Sequence, residues 1–253
     1  MLRAIREALP AHHMIYYADT AHLPYGNKAP GDIIAFASYI SGYLVSCGAG
    51  AIAVACNTSS ALALESVRRL YSVPFVGMID SGAAAAVRAS ASGRIGVIAT
   101  MNTVRSGAYA DAIAARRPGA VVVQQACPDL VPLVEAGELR GPRVAAAVEG
   151  YLRPLLSAGI DTIVYGCTHY PFLHREIRLA VGMGVALVDP AREAAAALAA
   201  VAAGAGVAPA GSATGVDFVV SGGADKFRDI ASALLEHDIG QVREDRAAPD
   251  ATE

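Results

Sequence analysis

Two short stretches of this chain repeat one pattern, and each leads into a cysteine. Residues 51–58 read AIAVACNT, and residues 162–169 read TIVYGCTH. Both are apolar runs with β-branched residues, which is typical of a strand that is buried on both faces of a parallel sheet. A glycine precedes each cysteine by eight positions, Gly48 before Cys56 and Gly159 before Cys167. The repeat predicts two related halves, each with one thiol at a strand end.

The rest of the chain alternates short apolar runs with segments of helical periodicity. This alternation implies parallel sheets with helices on both faces. We expect an α/β fold with two pseudo-symmetric domains and an active site at their interface. The first domain is expected to be discontinuous, formed by residues 1–79 and 190–253, and the second to comprise residues 80–189. The charged segment 241–253 is expected to be frayed. Strands are predicted at 14–17, 51–55, 74–79, 94–99, 120–124, 162–166, 185–188 and 216–220.

Composition excludes several classes of function. The formal net charge is −3 and no basic stripe is present, which argues against nucleic-acid and membrane partners. The four cysteines form no CxxC pair and no metal-ligand spacing, so we expect no metal and a reducing, cytoplasmic environment. We assign two of them, Cys47 and Cys127, to the core. We also expect no cofactor, because neither Lys28 nor Lys226 lies at a strand end where it could hold pyridoxal phosphate.

The positions of the two repeated cysteines suggest a chemistry. The carboxyl ends of parallel strands are where α/β proteins carry their active sites, and thiols near a helix N-terminus ionise more readily than ordinary thiols. Two opposed thiols suit proton exchange at a carbon acid, because one removes a proton and the other donates to the opposite face. Asn57, Thr58 and Thr168 could stabilise the developing charge. The alternatives are that both cysteines are ordinary core residues and that Asn57 and Thr58 cap a helix.

Several segments, in order along the chain, resemble glutamate racemases. The likeness extends from about residue 2 to about residue 235, and the loop Pro24-Tyr25-Gly26 distinguishes glutamate racemases from their aspartate and hydantoin relatives. The resemblance implies a cofactor-independent isomerase with two catalytic thiols, which interconverts L- and D-glutamate and supplies D-glutamate for peptidoglycan synthesis. The matching segments are 18–26 (ADTAHLPYG), 55–58 (ACNT), 96–100 (GVIAT), 106–109 (SGAY), 127–135 (CPDLVPLVE) and 166–171 (GCTHYP).

The same resemblance assigns roles to individual residues. Cys56 would act on D-glutamate and Cys167 on L-glutamate, with His169 assisting Cys167. Asp19 and Glu135 are candidates for assisting groups, Asp19 as an acid beside the pocket and Glu135 behind His169. We also expect a homodimer. The residues expected to bind the substrate are Pro24, Tyr25, Gly26, Asn57, Thr58, Thr100, Thr103 and Thr168.

One part of the family pattern is not found in this sequence. Family members open with an apolar strand and an Asp-Ser-Gly motif, whereas Met1 here lies at the start of the first predicted helix. We expect either a start codon assigned too late, which the intact downstream motifs favour, or a truncated paralogue with impaired catalysis. Loss of a central strand would leave a gap in the first sheet. The sequence is also compatible with a related cysteine-dependent racemase for aspartate or another small diacid, and with a non-catalytic binding protein.

Overall fold

The computed structural model describes residues 1–211 and 214–248, in which helices alternate with strands. The strands are β1 (Met14–Ala18), β2 (Ile52–Val54), β3 (Phe75–Gly77), β4 (Arg94–Ala99), β5 (Val121–Ala126), β6 (Thr162–Gly166), β7 (Ala186–Val188), β8 (Val216–Val220) and β9 (Val242–Glu244). The helices are α1 (Leu2–Ala8), α2 (Pro30–Ser46), α3 (Asn57–Leu62), α4 (Leu64–Leu70), α5 (Met78–Ala89), α6 (Met101–Arg105), α7 (Ala108–Arg116), α8 (Leu130–Glu135), α9 (Pro142–Ser157), α10 (His174–Val181), α11 (Ala191–Gly204) and α12 (Ala224–Leu235).

The second half of the chain builds a four-stranded parallel sheet with the order β5-β4-β6-β7. Its central strand, β4, pairs with β5 on one side and β6 on the other, and Ile95 and Val97 are 0 % exposed. Helices α5 and α7 pack on one face of the sheet, where Tyr109 and Ile113 join the core. Helices α9 and α10 cover the other face. This sheet confirms the predicted parallel α/β class.

The first half divides its strands between two parallel sheets. One has the order β1-β8-β9, and the other consists of β2 and β3. The late strand β8 therefore returns to pair with β1, in the register Met14 to Val216 through Ala18 to Val220. Within the described residues, no strand lies between β1 and β2. The first half thus differs from the second at the position that β4 occupies.

The two repeated cysteine segments lie in equivalent surroundings. Gly48 follows the end of α2 with φ of 86°, and Gly159 follows the end of α9 with φ of 68°. Both angles are in the left-handed region, where glycine ends a helix without steric strain. Strands β2 and β6 follow these glycines, and Cys56 and Cys167 follow the strands. The helix–glycine–strand–cysteine repeat of the sequence is a structural repeat.

Apart from differences in strand bounds, such as the strand predicted at 74–79 that ends at Gly77, two sequence interpretations differ from the structure. Cys47 is exposed rather than buried, because α2 ends at Ser46 and Cys47 is the C-terminal cap of that helix. The segment 241–253, expected to be frayed, contains β9, which pairs in parallel with β8, while residues 249–253 lie outside the described residues. Asp245, directly after β9, accepts hydrogen bonds from Tyr17 and Tyr39. Pairing with a distant strand outweighs the polar composition of this segment.

No helix within the described residues is long and apolar enough to cross a bilayer.

Candidate active site

One large cavity gathers nearly all the residues that the sequence singles out. It has a volume of about 1510 Å³ and opens at the carboxyl ends of β1, β2 and β6. Thr103 does not line it, but lies behind two residues that do. The predicted site residues in the cavity wall are Asp19, Pro24, Tyr25, Gly26, Cys56, Asn57, Thr58, Thr100, Glu135, Cys167, Thr168 and His169.

The two thiols reach this cavity from different sheets. Cys56 is the N-cap residue of α3 and has an extended backbone, and its carbonyl accepts the first hydrogen bond of the helix from Ser60. Cys167 follows β6 and is 7 % exposed, whereas Cys56 is half-buried. The amide end of α3 carries a partial positive charge, and Cys56 lies at that end of the helix. The cavity therefore has one thiol from each half of the molecule.

Three threonine hydroxyls form a compact cluster beside Cys56. The Oγ1 atom of Thr58 lies 2.9 Å from that of Thr100 and 3.2 Å from that of Thr103, and Thr100 and Thr103 are 3.0 Å apart. Thr103 is 0 % exposed and Thr58 is 2 % exposed. Each hydroxyl can donate one hydrogen bond and accept others, so the triangle fixes their orientations. Thr103 orients Thr58 and Thr100, which line the cavity.

A buried tyrosine positions Asn57. The Tyr109 hydroxyl donates to Asn57 Oδ1 over 2.7 Å, and burial raises the pKa of Tyr109 well above its usual range, so it remains a donor. Asn57 Nδ2 is buried and has no hydrogen-bond partner among the described residues. An unpaired buried amide group costs free energy unless a ligand satisfies it. Asn57 therefore presents a fixed donor at the cavity.

The loop that contains Tyr25 is held by an aspartate and a histidine. Asp19 Oδ1 lies 2.5 Å from His22 Nδ1, and the Tyr25 hydroxyl donates to Asp19 Oδ2. His22 is 3 % exposed and stacks on Phe36 of α2, with ring centroids 4.0 Å apart. Asn102 adds hydrogen bonds from Nδ2 to the Tyr25 and Lys28 carbonyls. Burial, followed by the charge of Asp19 and the hydrogen bond to it, raises the pKa of Tyr25, so its hydroxyl stays protonated.

A second polar chain supports Cys167. Its Sγ atom lies 3.6 Å from His169 Nδ1, and His169 Nε2 lies 2.7 Å from Glu135 Oε1. Burial alone lowers the pKa of His169, but hydrogen bonds to Cys167 and Glu135, with their charges, outweigh it and raise that pKa to about 10. The hydrogen bond from His169 lowers the pKa of Glu135. His169 is therefore an imidazolium at neutral pH, held between the Glu135 carboxylate and Cys167 Sγ.

Three residues of the site were not identified by sequence reasoning. His22, Asn102 and Tyr109 touch Asp19, the Tyr25 loop and Asn57, respectively. Only His22 had a local signal, its three-residue spacing from Asp19; the other two act across long sequence separations.

Cys127, which we assigned to the core, is 0 % exposed, and burial raises its pKa. Within 1–211 and 214–248, no three His, Cys, Asp or Glu side chains cluster as metal ligands would.

The parallel α/β sheets of the two halves and their shared cavity place this chain in the class of two-domain α/β racemases. A family model described as Asp/Glu/Hydantoin racemase matches residues 1–198, and the chain belongs to that family. Glutamate racemase of Desulforudis audaxviator (strain MP104C) is 50 % identical over 191 residues, covering 76 % of this chain and 70 % of the relative. The family resemblance inferred from the motifs is confirmed.

Solved structures show the same likeness along almost the whole chain. Glutamate racemase from Bacillus anthracis superposes with a TM-score of 0.90 at 29 % identity, covering 98 % of this chain and 93 % of that one. Glutamate racemase from Francisella tularensis in complex with D-glutamate superposes with a TM-score of 0.89 at 28 % identity, covering 96 % and 91 %. The two-domain α/β architecture is thus that of solved glutamate racemases.

Proposed function

We propose that this protein is a glutamate racemase that uses Cys56 and Cys167 as its two acid–base groups. The observation that carries the proposal is the presence of both thiols in one cavity, with His169 and Glu135 behind Cys167. The chain is similar to glutamate racemases, one of which was solved in complex with D-glutamate. From this likeness we infer that glutamate is the substrate. By the family resemblance, the product D-glutamate serves peptidoglycan synthesis.

The proposed reaction moves one proton off the substrate and another onto it. The Cys167 thiolate removes the Cα proton of L-glutamate, and the Cys56 thiol donates its proton to the opposite face, which gives D-glutamate. The reverse reaction exchanges the two roles. The His169 imidazolium, whose Nδ1 lies 3.6 Å from Cys167 Sγ, assists the proton transfer at Cys167. Proton exchange with water then restores the starting protonation states.

Polar groups around the thiols fit an amino-acid diacid. Asn57 Nδ2 is an unsatisfied donor, and Thr58, Thr100 and Thr168 present hydroxyls to the cavity. Pro24, Tyr25 and Gly26 form a loop over the cavity, and a Cβ at Gly26 would lie 3.4 Å from Thr100 Cβ. We propose that these groups bind the carboxylates and amino group of glutamate. Thr103 positions Thr58 and Thr100 from behind, and Asp19 positions Tyr25.

Circular dichroism at the amino-acid carboxylate band tests the proposal. L-glutamate and D-glutamate are each incubated with the protein. The circular dichroism signal of both should fall to zero, the value of a racemic mixture. L-aspartate in parallel incubations tests the choice of diacid and should keep its signal. Unchanged signals with both glutamate enantiomers would contradict the proposal. A faster loss of the circular dichroism signal with aspartate would instead indicate a related racemase that acts on aspartate.

Three further expectations belong to the same proposal. We propose a cytoplasmic location, where the substrate and reduced thiols are available, and a homodimer. We also propose the domain division into residues 1–79 with 190–253 and residues 80–189. The pairing of β8 with β1 supports the discontinuous first domain. Sedimentation velocity, with the monomer mass of 25.8 kDa as reference, tests the dimer.

A further inference from the structure

A helix from the second half of the chain holds a loop of the first half. Asn102, in α6, is 8 % exposed and does not line the cavity. Its Nδ2 atom donates over 3.1 Å to the Tyr25 carbonyl and over 2.8 Å to the Lys28 carbonyl. These two bonds use both hydrogens of the amide nitrogen. Asn102 therefore ties the 3₁₀ turn Tyr25–Asn27 and the residue after it to α6.

The turn by itself holds the Tyr25 carbonyl weakly. The Lys28 amide donates to this carbonyl over 3.4 Å, which is longer than the roughly 2.7–3.2 Å of ordinary N–H···O hydrogen bonds. The bond from Asn102, at 3.1 Å, lies within the ordinary range. Asn102 is therefore the stronger of the two donors that set the direction of the Tyr25 carbonyl.

The direction of this carbonyl also sets the direction of the next amide group. The Tyr25–Gly26 peptide bond is trans, and the C=O and N–H groups of a planar trans peptide point in opposite directions. The carbonyl points at Asn102, behind the cavity wall, whereas Tyr25 and Gly26 line the cavity. The Gly26 N–H is thereby turned toward the cavity. A carboxylate there can accept from it, and hydrogen bonds to ionised acceptors are stronger than those between neutral groups.

The loop also lies directly against the start of α6. A Cβ at Gly26 would lie 3.4 Å from Thr100 Cβ, and Thr100 is hydrogen-bonded to Thr58 in the threonine cluster. Both threonine hydroxyls face the same cavity as Gly26. Contact with α6 therefore holds the Gly26 amide at a fixed position relative to the hydroxyls of Thr58 and Thr100.

We propose that Asn102 is a positioning residue for substrate binding, which holds the Tyr25–Gly26 peptide with its N–H directed at a carboxylate of the substrate. Without Asn102, this peptide rotates and the amide turns away. The proposal rests on the proposed function, because it takes glutamate as the ligand. A packing role for Asn102 would require only a side chain of its size, whereas the proposed role requires its two N–H groups.

Two variants of similar size separate these roles. Asn102→Leu fills the same space without a donor, and Asn102→Asp keeps the shape but places a carboxylate against two carbonyl oxygens. Leucine also leaves no buried charge, so this variant tests the proposal if the aspartate variant does not fold. Arg105→Ala is the matched control, because Arg105 is an exposed residue of the same helix.

Steady-state kinetics with L- and D-glutamate give the first readout. In Asn102→Leu and Asn102→Asp, KM should rise about tenfold or more for both enantiomers, the usual effect of losing a hydrogen bond to a charged group. The value of kcat should stay within about twofold, because the lost bond is made equally in the ground state and the transition state. Arg105→Ala should change neither constant. An unchanged KM in Asn102→Leu, or a kcat that falls as much as KM rises, would overturn the proposal.

NMR separates this proposal from the proposed function. In the ligand-free protein, the Tyr25 carbonyl carbon resonance should move in Asn102→Leu and stay in place in Arg105→Ala. Glutamate should shift the Gly26 amide proton in the wild type and in Arg105→Ala, but not in Asn102→Leu. An unmoved Tyr25 carbonyl resonance in Asn102→Leu would overturn the role of Asn102 even if the wild type racemises glutamate. A wild type that neither racemises nor binds glutamate would contradict the proposed function, and with it the choice of ligand.

Discussion

At the scale of single residues, the site consists of two thiols with different surroundings. Cys56 has the amide end of α3 and the threonine cluster beside it, and Cys167 has His169, which is backed by Glu135. The two cysteines therefore have different polar neighbours, a helix terminus on one side and an imidazolium on the other.

Alanine at either position should abolish racemisation, because each thiol serves one face of Cα. For Cys56→Ala and Cys167→Ala we expect a loss of activity on the order of 10²–10⁴-fold, the usual contribution of a positioned acid or base. Cys47→Ala is the matched control, since Cys47 is exposed and follows α2. Rates from circular dichroism measure the effect. If Cys56→Ala or Cys167→Ala retained full activity, the cysteine replaced in that variant would be excluded from the reaction.

Glu135 should set the protonation of His169. Glu135→Gln removes the charge behind the imidazole, so the pKa of His169 should fall from about 10 toward its ordinary value near 6.5. A raised histidine pKa stabilises the fold fully below about pH 6.5, and this stabilisation is lost as the pH rises through about 10. Between about pH 6.5 and about pH 10, the free energy of unfolding should therefore decrease more for the wild-type protein than for the Glu135→Gln variant. Urea unfolding at several pH values measures this difference.

An NMR titration of the His169 ring provides the direct check on that prediction. Glu138→Gln is the control, because Glu138 lies in the same region but pairs with Arg143 over 2.6 Å. The control should leave the His169 titration as in the wild type. An unchanged His169 pKa in Glu135→Gln would show that the carboxylate does not hold the imidazolium.

At the scale of secondary-structure elements, the C-terminal segment contributes to the first half of the fold. β9 pairs with β8, and Asp245 after it accepts hydrogen bonds of 2.9 Å from Tyr17 of β1 and 3.0 Å from Tyr39 of α2. Burial, and then the hydrogen bond to Asp245, raises the pKa of Tyr17, so this hydroxyl remains a donor. One carboxylate thus joins the last strand to β1 and α2.

Removal of that charge should destabilise the protein without touching the thiols. Asp245→Ala leaves two tyrosine hydroxyls without their acceptor, at a cost of about 1–3 kcal/mol. Asp111→Ala, at an exposed position of α7, is the control and should change stability by less than about 0.5 kcal/mol. Urea unfolding curves of both variants measure the effect. Equal stability of the two would mean that β9 and Asp245 do not hold the first half together.

Local sequence patterns predicted some elements to the residue and others not at all. β4, β6 and β8 match their predicted bounds, because each is a mainly apolar run next to polar residues or glycine. β9 was not predicted, because its strand conformation depends on pairing with β8 rather than on its own charged residues. For the site, the cysteines and their neighbours were visible as motifs. Asn102 and Tyr109 act through contacts that only the folded chain brings together, whereas His22 lies three residues from its partner Asp19.

At the scale of the whole molecule, one cavity receives residues from both halves of the chain. Cys56 and Asn57 come from the first half, and Thr100, Cys167 and His169 come from the second. A ligand that contacts both groups is bound by the folded state alone. Ligand binding should therefore be linked to global stability.

Glutamate should raise the free energy of unfolding. At a ligand concentration one hundred times Kd, the expected increase is about 2.7 kcal/mol. Either enantiomer should have the effect, since the enzyme interconverts them, whereas L-lysine at equal concentration and ionic strength should not. Thermal unfolding monitored by far-UV circular dichroism measures it. Identical midpoints in glutamate and lysine would contradict a glutamate site between the halves.

The central claim, proton exchange at Cα between two thiols, is tested most directly in deuterium oxide. The protein is incubated separately with L- and D-glutamate, and Cα deuteration is followed by NMR while the enantiomers are separated by chiral chromatography. Each enantiomer should yield the opposite one with deuterium at Cα, because the donating thiol carries a solvent-derived deuteron. Protonated product, or no inversion and no Cα deuterium from either enantiomer, would contradict the claim.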